Sequence, residues 1–165
     1  MKIGIISDTH DNLSQIKKAV EIFNRGKVEL VLHAGDFVSP FTALGFKNLN
    51  CPLYGVFGNN DGDKLYLQVK FKGIGEICPV PYEIDIDHRN IIMLHKEKLI
   101  NNLAESQKYD VIIYGHTHRT DLRKIGKTLI INPGECGGWL TGKSTIALLD
   151  METLEAKIVE LAGSV

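Results

Sequence analysis

Basic charge, long apolar runs and paired cysteines are what this chain lacks. Its 19 Lys and Arg are offset by 20 Asp and Glu, for a net charge of −1. That excludes the broad cationic field with which a protein coats a duplex, and the polybasic patch that draws one to an anionic membrane. A local site for a nucleic acid end is not excluded, but no basic surface would support it. No apolar run approaches the ~20 residues of a membrane-spanning helix. The opening MKIGIISDTHDN reaches Asp8 and Asp11 too soon for a signal peptide. A cytoplasmic protein is expected. The three cysteines, Cys51, Cys78 and Cys136, are odd in number and form no C-x-x-C. Neither a disulfide framework nor a structural zinc site is indicated, and buried inert thiols are expected. At 165 residues, a single domain spanning 1–165 is expected.

What the chain does have is a succession of short apolar runs separated by turn signals. Lys2–Ile6 is apolar but for Lys2 and Gly4, as suits a strand buried on both faces. Asn12 can cap a helix whose Leu13, Ile16, Val20 and Phe23 share one face. Residues 29–33 and 53–57 read as strands, with a short proline-initiated helix at Pro40–Phe46 between them. Later come strands at 82–87 and 90–94, a polar helix at 98–108, and a buried strand at 110–114. Two hairpins follow, 121–125 with 128–132 and 145–150 with 155–161. An early β-α-β-α-β order with mostly strands afterwards points to an α/β sandwich of two sheets.

One stretch invites a nucleotide-binding reading. GGWLTGKS, residues 137–144, matches the G-x-x-x-x-G-K-S loop that cradles phosphates. That loop must join a strand to a helix, whereas Asn132-Pro133-Gly134-Glu135 inserts a turn before it and residues 145–149 are β-rich. The stretch is instead expected to form a flexible rim, with Trp139 at least partly exposed near a pocket mouth and Lys143 solvated.

The chemistry-bearing residues follow the strands. Asp8 and His10 come after the first in SDTHD, Asp36 after the second in HAGDF, and Asn59 after the third in FGNND. His95 ends the run IIML, and His116 and His118 follow VIIYG in GHTH. Carboxyl ends of strands are where α/β sheets bind ligands. Carboxylate, amide oxygen and imidazole suit first-row divalent metals, and a pair of metals needs a bridging anion. D-x-H and H-x-H would place alternate side chains on one side of an extended segment, and Gly35, Gly58 and Gly115 would permit sharp turns. His33 is expected to point away from the site, and His88 to be a solvated turn residue.

In that order, D-x-H, G-D, G-N-x-D, an apolar strand ending in His, and G-H-x-H, the chain resembles the calcineurin-like metallophosphoesterases. The resemblance runs from Asp8 through Gly134 and is nearest the small bacterial and archaeal phosphodiesterases of that superfamily. It implies a four-layer α/β/β/α sandwich of two mixed β-sheets flanked by helices. It implies two divalent metal ions, drawn from Mn, Ni, Fe, Co or Zn. Asp8, His10, Asp36 and His118 would hold one; Asp36, Asn59, His95 and His116 would hold the other, with Asp36 bridging. Asp36, Asn59 and His95 would thus serve catalysis by holding ions that lower the pKa of a bridging water to yield hydroxide for in-line attack on a small phosphodiester. Asp61 would orient its neighbours.

Two positions depart from the pattern. Relatives commonly carry His where this chain has Asn60, and that His is thought to protonate the leaving group. Losing a general acid removes a factor of about 10²–10⁴, so phosphomonoesters should be poor substrates. Lys96 stands where Gly is common, and with Asn59, Asn60 and Trp139 it is a candidate for binding substrate. The superfamily also includes a retromer subunit that serves as an interaction scaffold, so a catalytically weak scaffold is the alternative. A homo-oligomer is compatible with the sequence.

Overall fold

A computed structural model of the chain describes residues 1–161; residues 162–165 of the expected domain lie outside the described residues. The first half comprises β1 (Lys2–Ile6), α1 (Leu13–Arg25), β2 (Leu30–His33), a 3-10 segment at Pro40–Phe46, β3 (Leu53–Val56), α2 (Lys64–Phe71) and β4 (Gly75–Cys78). The second half comprises β5 (Tyr82–Ile86), β6 (Arg89–Met93), α3 (Ile100–Glu105), β7 (Val111–Ile113), β8 (Thr120–Ile125), β9 (Thr128–Pro133), β10 (Thr145–Asp150) and β11 (Glu155–Glu160).

These strands form two mixed sheets. One has the order β11-β10-β1-β2-β3-β4, and the other β5-β6-β7-β9-β8. Strands β1 to β4 run parallel, as do β6, β7 and β9, while β10, β11, β5 and β8 pair antiparallel at the flanks. Period-two side-chain alternation then builds the layers. Ile3 and Ile5 of β1 meet Ile91, Met93, Val111 and Ile113 of the second sheet in a core between the sheets. Ile6, on the opposite face, packs with Ile16, Val20 and Phe23 of α1. Beneath the second sheet, Ile92, Ile112 and Ile130 pack on Ile100 and Ala104 of α3. The result is the expected sandwich of two mixed sheets between helices.

Local signals account for several boundaries. The Asn12 side chain accepts from the Gln15 amide at the start of α1, and Gly26 follows its end. The 98–108 helix is shorter than its polar run suggests: a 3-10 turn at Glu97–Leu99 precedes α3, which stops at Glu105. No sequence pattern signals α2 or β4. Only Leu67 and Phe71 of α2 are buried, while Leu65, Tyr66 and Val69 lie exposed, so its apolar residues trace no single face. No helix among the described residues is long and apolar enough to cross a membrane.

The topology positions the site. The carboxyl ends of β1, β2 and β3 in one sheet, and of β6, β7 and β9 in the other, all run out at one end of the sandwich. Ile6 is level with His33, and Met93 with Ile113, so the loops after these strands leave side by side.

Candidate metal centre

Two clusters of potential metal ligands lie at that end. Asp8, His10 and His118 form one, and Asp36, His95 and His116 the other; within each, one donor atom per residue lies within 4.8 Å of the others. Asp36 links them. Its Oδ2 lies 3.6 Å from His10 Nε2 and 3.3 Å from His95 Nε2, so a single carboxylate oxygen faces an imidazole of each cluster. Asn59 completes the second group, with its Oδ1 3.1 Å from His95 Nε2.

The backbone that delivers these side chains is unusual. Asp8, His10, Asp36, His116 and His118 all have positive φ, between 42° and 67°. Such residues cost about 1–3 kcal/mol each and persist where a functional site over-determines them. The extended-strand alternation expected for D-x-H and H-x-H is therefore incorrect; left-handed turns aim the paired side chains. The expected role of the glycines also needs division. Gly35 uses its freedom at φ 95°. Gly58 and Gly115 have no positive φ; a Cβ at Gly58 would strike the Asp36 carboxylate, and one at Gly115 would strike Ser7 Oγ and approach Asp8. They provide room rather than a turn.

The imidazoles are held in metal-ready orientation. His95 Nδ1–H donates to the Ala34 carbonyl at 2.8 Å, which leaves Nε2 as a bare lone pair. That lone pair faces two oxygen acceptors, Asn59 Oδ1 and Asp36 Oδ2, an arrangement that only a proton or a metal cation can reconcile. His118 Nδ1–H donates to Glu135 Oε2 at 2.8 Å, turning its Nε2 toward Asp8 Oδ1 at 3.6 Å. His10 Nε2 is buried without a hydrogen-bond partner. The donor set therefore fits a pair of divalent cations.

Electrostatics follow from burial and partners. Asp8 and Asp36 are fully buried. Burial pushes the Asp8 carboxyl above its ordinary pKa, against a hydrogen bond from Ser7 that pulls it down. Burial also acts upward on Asp36, but the adjacent His95 imidazole and the hydrogen bonds from Asn60 outweigh it and hold the carboxyl well below the usual carboxylate range. Burial lowers His95, yet the Asp36 carboxylate facing Nε2 and the bond to Ala34 leave it raised on balance.

The remaining expected residues fall as follows. The Asn60 amide and its Nδ2 both donate to Asp36, each at 2.8 Å, so this residue orients the carboxylate that links the clusters. Asp61 accepts from the Val38 and Gly58 amides at 2.8 and 2.7 Å, pinning the FGNND turn to the HAGDF loop. Lys96 is exposed beside His95. Trp139 is 64% exposed, and its Nε1–H donates to the His10 carbonyl at 3.1 Å, against the Asp8 cluster. Ser144 leads directly into β10 rather than a helix, and Lys143 is exposed, so GGWLTGKS has no nucleotide-loop context. His33 is fully buried behind the site: Nδ1 accepts from the Gly35 amide, Nε2 contacts Thr9 Oγ1, and the ring stacks on Phe37. His88 lies exposed in its turn.

Glu135 is a further residue of the site that no sequence motif marks. It is fully buried just beyond β9, where it accepts from His118 Nδ1, from the Leu140 and Thr141 amides, and from Thr141 Oγ1. Burial alone would raise its carboxyl, but the bonds from Thr141 and His118 hold it below the ordinary value. Its only signal was position: an acidic residue in the turn after a wholly buried strand.

Comparison with known proteins identifies the family of the fold. The calcineurin-like phosphoesterase superfamily domain matches residues 1–154. Phosphodiesterase MJ0936 of Methanocaldococcus jannaschii is 44% identical over 165 residues, covering 98% of this chain and 99% of that protein. A solved structure described as a novel archaeal phosphodiesterase superposes with a TM-score of 0.92 at 43% identity, covering 98% of this chain and 100% of that one. Zinc-complexed Vps29 of Entamoeba histolytica shares the fold alone, with a TM-score of 0.70 at 19% identity over 98% of this chain and 99% of its own. With its ligand-bearing loops, its paired sheets and these matches in accord, the chain belongs to the calcineurin-like phosphoesterase superfamily.

Proposed function

We propose that this chain is a dinuclear metal-dependent phosphodiesterase that acts on small phosphodiesters and is weak on phosphomonoesters. One observation carries the reading: Asp36 Oδ2 faces both His10 Nε2 and His95 Nε2, so one carboxylate could serve both clusters. Asp8, His10, Asp36 and His118 would hold one ion, and Asp36, Asn59, His95 and His116 the other. When bound, two divalent ions supply hydroxide at neutral pH and offset charge on the phosphoryl oxygens.

The protein's own groups supply orientation. Ala34 and Glu135 fix the His95 and His118 tautomers through Nδ1, so that Nε2 of each turns inward. Ser7 Oγ and the His116 amide donate to Asp8, and Asn60 donates to Asp36, holding both buried carboxylates in place. Asn59 brings an amide whose oxygen can ligate while its N–H donates to a phosphoryl oxygen. Asn60 has no transferable proton of useful pKa, which favours substrates with a good leaving group such as aryl diesters. Manganese or nickel would suit this N/O donor set.

The test is turnover of bis-p-nitrophenyl phosphate by purified protein with Mn²⁺ or Ni²⁺, alongside calorimetric metal binding. Turnover well above metal alone is expected, with Asp36→Asn abolishing it and lowering the bound-metal stoichiometry. Metal bound at full stoichiometry without turnover would favour a scaffold instead.

A further inference from the structure

Beside the second cluster lies a cavity of about 590 Å³ that the metal chemistry does not use. Its size is within the range of about 300–1,000 Å³ typical of small-molecule sites. Asn59 and His95 line it, so it opens directly from the metal centre. A phosphoryl group engaged at Asn59 would have this cavity next to it.

The lining is divided by chemistry. Phe57, Pro79, Val80, Leu94 and Leu99 supply apolar walls, and Val80 and Leu99 are 46% and 58% exposed. Large apolar side chains left in solvent at the edge of a polar site are surface that a ligand can cover. The remaining polar lining is Lys64, Lys96 and Lys98, with no acidic residue. Lys64 Nζ sits 5.2 Å from the Phe57 ring centroid, so one cation is already poised over the apolar wall. Apart from Asn59 and His95, no lining side chain carries a hydrogen-bond acceptor. A complementary ligand must therefore be apolar in body and bring its own acceptors and negative charge.

We propose that this cavity binds one ester substituent of the substrate, a planar apolar group of aryl or nucleoside size. It would carry a second negative charge, held by the ammonium groups of Lys64, Lys96 and Lys98. The proposal rests on the phosphodiesterase reading for the position of the first phosphoryl group. It narrows the substrate class to aryl or nucleotide-like diesters with a further phosphate or carboxylate. Simple alkyl diesters would leave the apolar walls exposed and the lysines unpaired.

Calorimetry on the Mn²⁺-loaded chain tests this independently of turnover, with methyl phosphate, thymidine 5′-phosphate and thymidine 3′,5′-bisphosphate as probes. The nucleoside should tighten binding about tenfold over methyl phosphate through burial of the base. The second phosphate should add about fivefold through the lysines. Leu99→Asp, at an exposed position where folding is not at risk, should erase the first increment. Lys64→Ala with Lys98→Ala should erase the second. Equal affinity for methyl phosphate and thymidine 5′-phosphate, or increments unchanged in these variants, would overturn the proposal. Turnover of bis-p-nitrophenyl phosphate is read separately. An active protein with flat affinities loses the subsite alone; an inactive one with graded affinities loses the diesterase reading and keeps the subsite.

Discussion

His118 Nδ1 and Glu135 Oε2 lie 2.8 Å apart, and the same carboxylate receives the backbone amides of Leu140 and Thr141. One buried acid thus orients an imidazole of the Asp8 cluster and ties down the glycine-rich rim that carries Trp139. A carboxylate behind a ligating histidine fixes its tautomer and raises its basicity.

Glu135→Ala should therefore weaken metal binding by about 10–100-fold, the usual effect of removing such a partner. Glu135→Gln should fall between, because an amide oxygen can still accept from His118 while its NH₂ clashes with the donors of the rim. Calorimetric titration with Mn²⁺ gives the readout. Metal affinity unchanged in Glu135→Ala would remove this role.

Asn60 offers a gain-of-function test. Replacing it with His restores a group able to protonate a leaving alkoxide, worth about 10²–10⁴ where that step limits the rate. The substitution also removes the Nδ2 bond to Asp36, while the backbone bond from residue 60 persists. Phosphate release from an alkyl phosphomonoester such as glycerol 3-phosphate, relative to turnover of bis-p-nitrophenyl phosphate, should rise by about tenfold or more, because only the alkoxide needs the proton. If that ratio stays constant, the missing acid is not what disfavours monoesters.

His33 links stability to pH. Burial, then repulsion from His95, keeps its pKa well below the ordinary histidine value. Its Nδ1 accepts from the Gly35 amide, a bond that protonation would destroy. The unfolded chain takes up a proton near pH 6.5 that the folded chain refuses, so this contribution is intact above about pH 6.5 and is lost as pH falls. Each pH unit below that value should cost up to about 1.4 kcal/mol. Urea unfolding of metal-free protein at pH 8 and pH 5, compared with His33→Asn, measures it. The variant should show the shallower pH dependence, and equal slopes would count against a neutral buried His33.

Trp139 is exposed, and its indole nitrogen donates to the His10 carbonyl. Trp139→Ala should raise KM for bulky diesters severalfold while metal stoichiometry and thermal unfolding change little. Loss of metal, or an unaltered KM across esters of different size, would deny it a place at the rim.

Much of this site was legible before folding because metal chemistry restricts atom types. Asp8, His10, Asp36, Asn59, His95, His116 and His118 each follow an apolar run, and short-range patterning places such runs as strands. The α1 helix and its Asn12 cap, the β8–β9 and β10–β11 hairpins, and the two-sheet architecture were readable for the same reason. Where patterning was weak, reading failed. The scattered apolar residues of α2 gave no helical face, and β4 is a four-residue strand with two buried side chains.

The sequence by itself determined which atoms could bind metal and in what order they occur along the chain. Only the tertiary structure decided how they converge, because Asp8, His10, Asp36, His116 and His118 adopt left-handed turns that no local preference of Asp or His requires. Only it joined Glu135 to His118, since that bond exists once β8 and β9 pair and return the chain. It also set Asn60 against Asp36, residues 24 apart in sequence, and placed the lysine-rimmed cavity beside Asn59. Local composition encodes chemistry and periodicity; contacts between distant segments depend on how the two sheets close around their shared core.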